Sequence, residues 1–224
     1  MVDEQVAEWD GVTLRSSLKD RYAAERDRLA DAARDGNWRT VFEVLDEHAA
    51  WVNTARLEGS SGYTPLHQAA WHGVPAETAD RLLAYGAART LRTSDGNRAV
   101  DIAERRGHRH LVGLLDPAPK HPLPQDAAAR LTGHLHRLIR HRAGLTDGSD
   151  LATRQRMRLP EVEALTELGH PACWFPVPGM YGGFKIVLRG GELIVDSWIR
   201  VVGGSERTDR VTVDGVLLQE GGRL

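Results

Sequence analysis

Lysine, cysteine, net charge and long apolar runs are all scarce in this chain, and each scarcity excludes something. Its 224 residues contain a single cysteine, Cys173, so no internal disulfide framework can hold the fold together. No uninterrupted apolar run approaches the roughly 18 residues of a membrane span. The N-terminal MVDEQVAEWDG is acidic and lacks the basic-then-apolar layout of a secretory signal. The expectation is a cytoplasmic protein without a membrane partner. A formal net charge of −2 gives no whole-molecule field for nucleic acid. Only Lys19, Lys120 and Lys185 are lysines among 29 basic residues. With abundant Ala and Gly, that arginine bias fits a GC-rich bacterial genome.

What is present is ordinary in bulk and patterned in detail. A hydrophobic fraction of 41% and a charged fraction of 27% suit a globular protein, and the length suits one large or two modest domains. GYTPLHQAAWHG (Gly62 to Gly73) precedes RLLAYGA, and 34 residues after Gly62 the stretch GNRAVDIAERRG opens at Gly96, followed by HLVGLL. Upstream, LADAARDG leads into VFEVLDEHA. Three times a short Ala-rich helix ends at a glycine and a second helix rich in Leu and Val follows. Pro65 pre-sets a helix start, Thr64 can cap it, and Gly73 and Gly107 can take the left-handed conformation that ends a helix. Ala69 and Ala70 allow neighbouring helices to approach, while Leu82, Leu83, Leu114 and Leu115 face the next layer.

This pattern closely resembles the ankyrin repeat, a helix-turn-helix unit that stacks into a solenoid. In the middle copy Gly62, Thr64, Pro65, Leu66, His67, Ala69, Ala70, Gly73, Leu82, Leu83, Gly86 and Ala87 all sit on the family motif. The third copy departs from it, with Arg98, Ala99, Val100 and Asp101 where Thr, Pro, Leu and His are expected. The first keeps Ala32, Ala33, Gly36, Val52 and Asn53. The resemblance implies about three repeats over residues 27–116, with residues 1–26 as an N-terminal capping region. Leu14, Leu18 and Tyr22 recur at helical spacing there and predict helix from 14 to 34.

PAPKHPLP, residues 117–124, has four prolines in eight positions and reads as a stiff linker. Beyond it, residues 125–224 predict two helices, about Gln125–Arg142 and Pro160–Leu168, then an antiparallel meander of three or four strands. Gly190-Gly191 suits a two-residue hairpin turn and GGSERTD a further turn. The fold class expected is α+β: a short all-α solenoid followed by a smaller helix-plus-antiparallel-sheet domain. WFPVPGMYGGF, from Trp174 to Phe184, joins the second helix to the first strand. Its prolines and glycines make it either a rigid corner sealing the core or a semi-exposed aromatic rim.

Chemistry-bearing constellations are weak. His134 and His141 are seven residues apart, about 10.5 Å along a helix, too far for one zinc ion. Arg130, His134, Arg137 and His141 form one helical stripe, read as a solvated basic face or a contact for an acidic partner. Cys173 and His170 lack an orienting third group and read as buried structure. Glu161, Glu163 and Glu167 read as solvated charges, and VVGGSER lacks a phosphate-binding setting. His67, by the family resemblance, is a structural residue of the turn. No cofactor, metal or catalytic residue is assigned.

Two functions from different classes remain. The first is a non-enzymatic scaffold or adaptor that binds a protein partner. By the resemblance, its concave face includes Tyr63, Gln68, Trp71 and His72 in the middle repeat, Asn97, Arg105 and Arg106 in the third, and Arg34 and Asp35 in the first. Trp71, a large aromatic where the fold needs none, is the expected anchor. The second is a small-molecule or isomerase/cyclase-like pocket in the C-terminal domain, lined by Tyr181, Asp196, Trp198 and Arg200. That pocket requires its sheet face not to be plugged by Leu131, Leu135 and Ile139.

Overall fold

Helices dominate the first half of the chain and five of the six strands lie beyond residue 170, giving the α+β class predicted. The computed structural model describes residues 7–9, 11–124, 126–144, 157–177, 182–199 and 205–218. Two compact units divide the chain: Val12–Ala118, and Met1–Gly11 together with Pro119–Leu224. The boundary at Ala118 falls inside the proline-rich segment. From Lys120 onward the chain is tied to the second unit, where Lys120 and His121 N–H both donate to the Thr166 carbonyl at 2.8 and 3.0 Å.

In the helical unit a 3-10 turn at Arg15–Ser17 precedes α1 (Asp20–Arg34) and α2 (Trp38–Glu47). Then come α3 (Pro65–His72) with α4 (Ala76–Ala84), and α5 (Ala99–Arg106) with α6 (Arg109–Leu115). The continuous helix expected over 14–34 does not form. Leu14 and Leu18 flank the 3-10 turn with extended backbone, so only residues from Asp20 onward wind as α-helix. The partners of each pair pack together. The first helices also pack side by side, α1 on α3 and α3 on α5, while α4 packs on α6. Ala69, Ala70 and Ala103 lie wholly inside this array, where methyl side chains let helix axes close in. Leu82, Leu111 and Leu115 fill the layer behind.

Local chemistry sets the helix starts. The His67 ring Nδ1 accepts the Thr64 N–H at 3.2 Å, meeting one of the donors a helix N-terminus leaves unpaired. In the third hairpin the Asp101 carboxylate accepts the Arg98 N–H at 2.7 Å. The departure from His to Asp therefore preserves the cap, because both side chains present an acceptor at the same point of the first turn.

In the second unit α7 (Ala127–Arg142) and the one-turn α8 (Val162–Leu165) pack together, and α7 lies on the sheet. The sheet has six strands: β1 (Ala7–Glu8), β2 (Ala172–Pro176), β3 (Gly182–Arg189), β4 (Glu192–Ile199), β5 (Ser205–Thr212) and β6 (Gly215–Leu218). They lie in sequence order, antiparallel from β2 to β6, with β1 parallel to β2. Gly190 and Gly191, at φ 58° and 85°, make the two-residue hairpin turn between β3 and β4. Leu131, Leu135, Leu138 and Ile139 of α7 share one core with Phe175, Phe184, Ile186, Leu193, Val195 and Val211.

Four expectations are corrected here. The antiparallel meander has five strands instead of three or four, because Ala172–Pro176 forms β2, and residues near the N-terminus add the parallel β1. Residues 160–168 give one turn of α-helix, since Glu161 is extended and the chain bends before Pro171. Ser205–Asp209 is strand where a turn was expected. Trp174 to Pro176, read as a connection, is the end of β2. There Phe175 is fully buried and Pro176 sits opposite Gly183, where its missing N–H does not stop the pairing, since the Val177 N–H still donates to the Gly182 carbonyl at 3.2 Å.

Candidate functional site

Backbone carbonyls at the glycine stops are the anchor points of the helical array. Gly73 ends α3 at φ 63°, and a Cβ there would stand 2.4 Å from His108 Nδ1, so glycine alone admits the imidazole. His108 Nε2–H donates to the Trp71 carbonyl at 3.2 Å, and His72 Nε2–H donates to the Arg34 carbonyl at 2.8 Å. Each ring satisfies a carbonyl left open at the end of the preceding first helix. His110 reaches the Val74 carbonyl at 2.9 Å. On the opposite side of the hairpins Asn53 Nδ2 donates to the Gly86 carbonyl and its Oδ1 accepts the Ala88 N–H, both at 2.9 Å. Adjacent hairpins are thus locked in register by side chains from the next or the previous one.

These locks place a cluster of named side chains on one surface. Trp71 is 42% exposed, one of three large hydrophobic residues so exposed among the described residues. Tyr63 meets its ring edge-on with centroids 6.3 Å apart, and the Arg106 guanidinium lies 4.0 Å from its centroid. The indole is therefore held by an aromatic edge and a cation over its face. Next to it in sequence, His72 packs edge-on against Trp38 at 6.1 Å and bonds Arg34, which pairs with Asp35 at 2.9 Å. Tyr63, Trp71 and Arg106 are in mutual contact through Trp71, and Arg34, Asp35 and His72 form a second linked group. Gln68 is half-buried on α3 and Arg105 is exposed on α5. Asn97 is committed to a turn, where its N–H reaches Thr93 Oγ1 at 3.2 Å.

In the sheet unit the described members of the rival pocket, Asp196 and Trp198, lie on the sheet face turned away from α7. Leu193 and Val195 face α7, whereas Asp196 and Trp198 project from the other side of β4. Leu131, Leu135 and Ile139 therefore fill the face opposite Asp196. Asp196 accepts a hydrogen bond from Thr208 Oγ1 at 2.7 Å, and Trp198 is 48% exposed, its ring tilted against Trp174. Tyr181 and Arg200 lie outside the described residues.

The other titratable candidates are structural. Burial pushes the Cys173 thiol up to about 12, which leaves no thiolate at neutral pH. His67 is buried, with Nδ1 in the turn and Nε2–H on the Leu91 carbonyl at 3.0 Å. Glu161 is not a solvated charge but pairs with Arg158 at 3.0 Å, and it is only 26% exposed. Arg130 and His134 reach toward the β5–β6 turn, at Asp214 and the Val213 carbonyl, instead of forming a free stripe. Among the described residues no group of three or more His, Cys, Asp and Glu is placed to hold a metal ion. None of their helices is long and apolar enough to cross a membrane.

Three structural residues went unremarked in the sequence. Trp38 backs His72, and histidines beside two of the three glycine stops, His72 at Gly73 and His108 at Gly107, are the signal that marks the hairpin junctions. Arg142 and Asp209 form a bidentate pair between α7 and β5, at 2.9–3.1 Å, with the Asp209 side chain fully buried. Sixty-seven residues separate them, and no local pattern links them. No family model matches the chain.

Proposed function

We propose that the helical unit is an array of ankyrin-type hairpins that acts as a non-enzymatic scaffold, docking a protein partner on the surface around Trp71. The observation that carries this reading is the half-exposed indole held between Tyr63 and Arg106. An aromatic that is large, exposed and already restrained loses little entropy when a partner covers it, which is the character of an interface anchor. Packing of α1, α3 and α5 side by side supports the repeat reading, as do the glycine stops and the carbonyl-bonding histidines. Gln68, Asn97 and Arg105 extend the docking surface around Tyr63, Trp71 and Arg106, while His72, Arg34 and Asp35 form its edge toward the first hairpin.

The test is recovery of the partner from native lysate on immobilised protein. Trp71→Ala and Tyr63→Ala each reduce recovery while leaving the far-UV spectrum unchanged. Equal recovery with wild type and both variants removes this surface as the docking site.

A further inference from the structure

We infer that the segment docking on Trp71 is acidic and carries an apolar side chain, a deepening that rests on the scaffold reading above. The basis is a difference in how arginines are used across the three hairpins. In the first, Arg28 pairs with Glu43 at 3.0 Å, Arg34 with Asp35 at 2.9 Å, Arg39 with Glu43 at 3.1 Å, and Arg56 with Asp31. In the second, Arg81 pairs with Asp46 at 3.5 Å. Each of those cations is neutralised within the fold, while Arg21, at the start of α1, has no ion pair among the described residues and instead bonds and covers the Tyr22 ring.

The third hairpin breaks the pattern. Arg105, Arg106 and Arg109 are exposed, and none makes an ion pair among the described residues. Asp101, the acid that could have balanced them, is spent on the Arg98 N–H at the helix start. Glu104 stays on α5 without bonding any of the three. Arg106 lies over the Trp71 ring, and His108, next to Arg109, bonds the Trp71 carbonyl. Arg106 therefore lies over the one exposed tryptophan of this unit, and two more uncompensated guanidinium groups, Arg105 and Arg109, flank Arg106 in sequence within the same hairpin.

Uncompensated charge at the rim of an apolar anchor attracts the opposite charge and repels its own. A carboxylate-rich segment supplies bidentate acceptors for guanidinium groups, and an aromatic or aliphatic side chain within it covers the indole. Nucleic acid fits less well. The whole chain carries a net charge of −2, and the basic group is confined to three residues, too few to track a phosphate backbone.

Fluorescence anisotropy with short labelled peptides tests this on the full chain. The probes are an acidic peptide with one Phe, its Lys/Arg counterpart, the acidic peptide without Phe, and a single-stranded oligonucleotide. The acidic Phe-containing peptide binds tightest, and raising salt from about 50 to about 500 mM weakens it about tenfold or more. Arg105→Glu/Arg109→Glu weakens it at least about tenfold with an unchanged melting temperature, since both side chains are exposed and unpaired. Trp71→Ala has a similar effect, and removing Phe from the peptide mimics it. Undiminished binding by Arg105→Glu/Arg109→Glu, preference for the basic peptide or the oligonucleotide, or no binding to any probe overturns the acidic assignment. If a basic or neutral peptide binds in a Trp71-dependent way, the scaffold reading stands while this inference falls. Binding that ignores Trp71 with every probe removes both.

Discussion

The two units of this chain are held together by opposite means. In the helical unit each hairpin repeats the same few contacts with its neighbour: small residues between helices, a glycine stop, and a side chain on a backbone carbonyl. The sheet unit instead relies on single, long-range events. β1 pairs with β2 across Ala7 and Cys173, and Trp9 N–H and indole donate to the Trp174 and Arg158 carbonyls at 2.8 and 3.0 Å. Gly11 fits so closely that a Cβ would stand 2.3 Å from the Arg158 carbonyl oxygen. These contacts leave part of the first unit's surface exposed. That is where the exposed Trp71 and the unpaired arginines occur.

Damage should follow this division. The largest effect belongs to Phe175→Ala, which empties a fully buried site in the sheet core and costs about 3–5 kcal/mol. Hydrogen exchange should show lost protection in β2–β5 with α3–α6 intact, and simultaneous loss in both units breaks the comparison. Asp209→Ala comes next, at about 3 kcal/mol by chemical denaturation. It strands the nearly buried Arg142 without its carboxylate, and a change below about 1 kcal/mol would mean that the pair is dispensable. Asn53→Ala removes two hairpin-to-hairpin hydrogen bonds at a cost of about 1–2 kcal/mol. Its exchange signature should centre on residues 86–88, and an effect in the sheet unit would contradict the local character of these locks.

The smallest effect is a pH dependence of the sheet unit. Burial holds the His136 imidazole below its ordinary value, with Arg140 adding to the shift against the bond to the Pro160 carbonyl. The unfolded chain then binds a proton that the folded one refuses. Stability is full above the ordinary histidine value of about 6.5 and falls as pH drops through it. Melting curves at about pH 7 and about pH 5 should show a smaller loss for His136→Asn than for wild type. An equal loss assigns the acid sensitivity elsewhere.

The same division explains what could be read from sequence. The six helices of the first unit announced themselves through apolar spacing and glycine stops, because the contacts that make them lie within a few residues. Gly190-Gly191 announced its hairpin for the same reason. β1 could not be seen: two residues, Ala7 and Glu8, carry no pattern, and their partner strand lies at the far end of the chain. Trp174–Pro176 looked like a connection because Pro176 and the proline and glycines that follow it dominate the local signal, yet pairing with β3 overrides it. On the candidate surface Trp71 stood out as an aromatic without a structural duty. That Arg106 would lie over its ring, and that Arg105 and Arg109 would lack carboxylates, depends on packing between hairpins and on where Asp101 is used.

Site-specific photo-crosslinking tests the central claim most directly. A photoreactive side chain replaces Gln68, three residues before Trp71 on α3, or Asp80, exposed on α4, and cells are irradiated with the full chain expressed. The account predicts a discrete adduct from position 68 that disappears when Trp71→Ala is added, and none from position 80. An adduct from position 80 alone, or one from position 68 that persists without the indole, would contradict it.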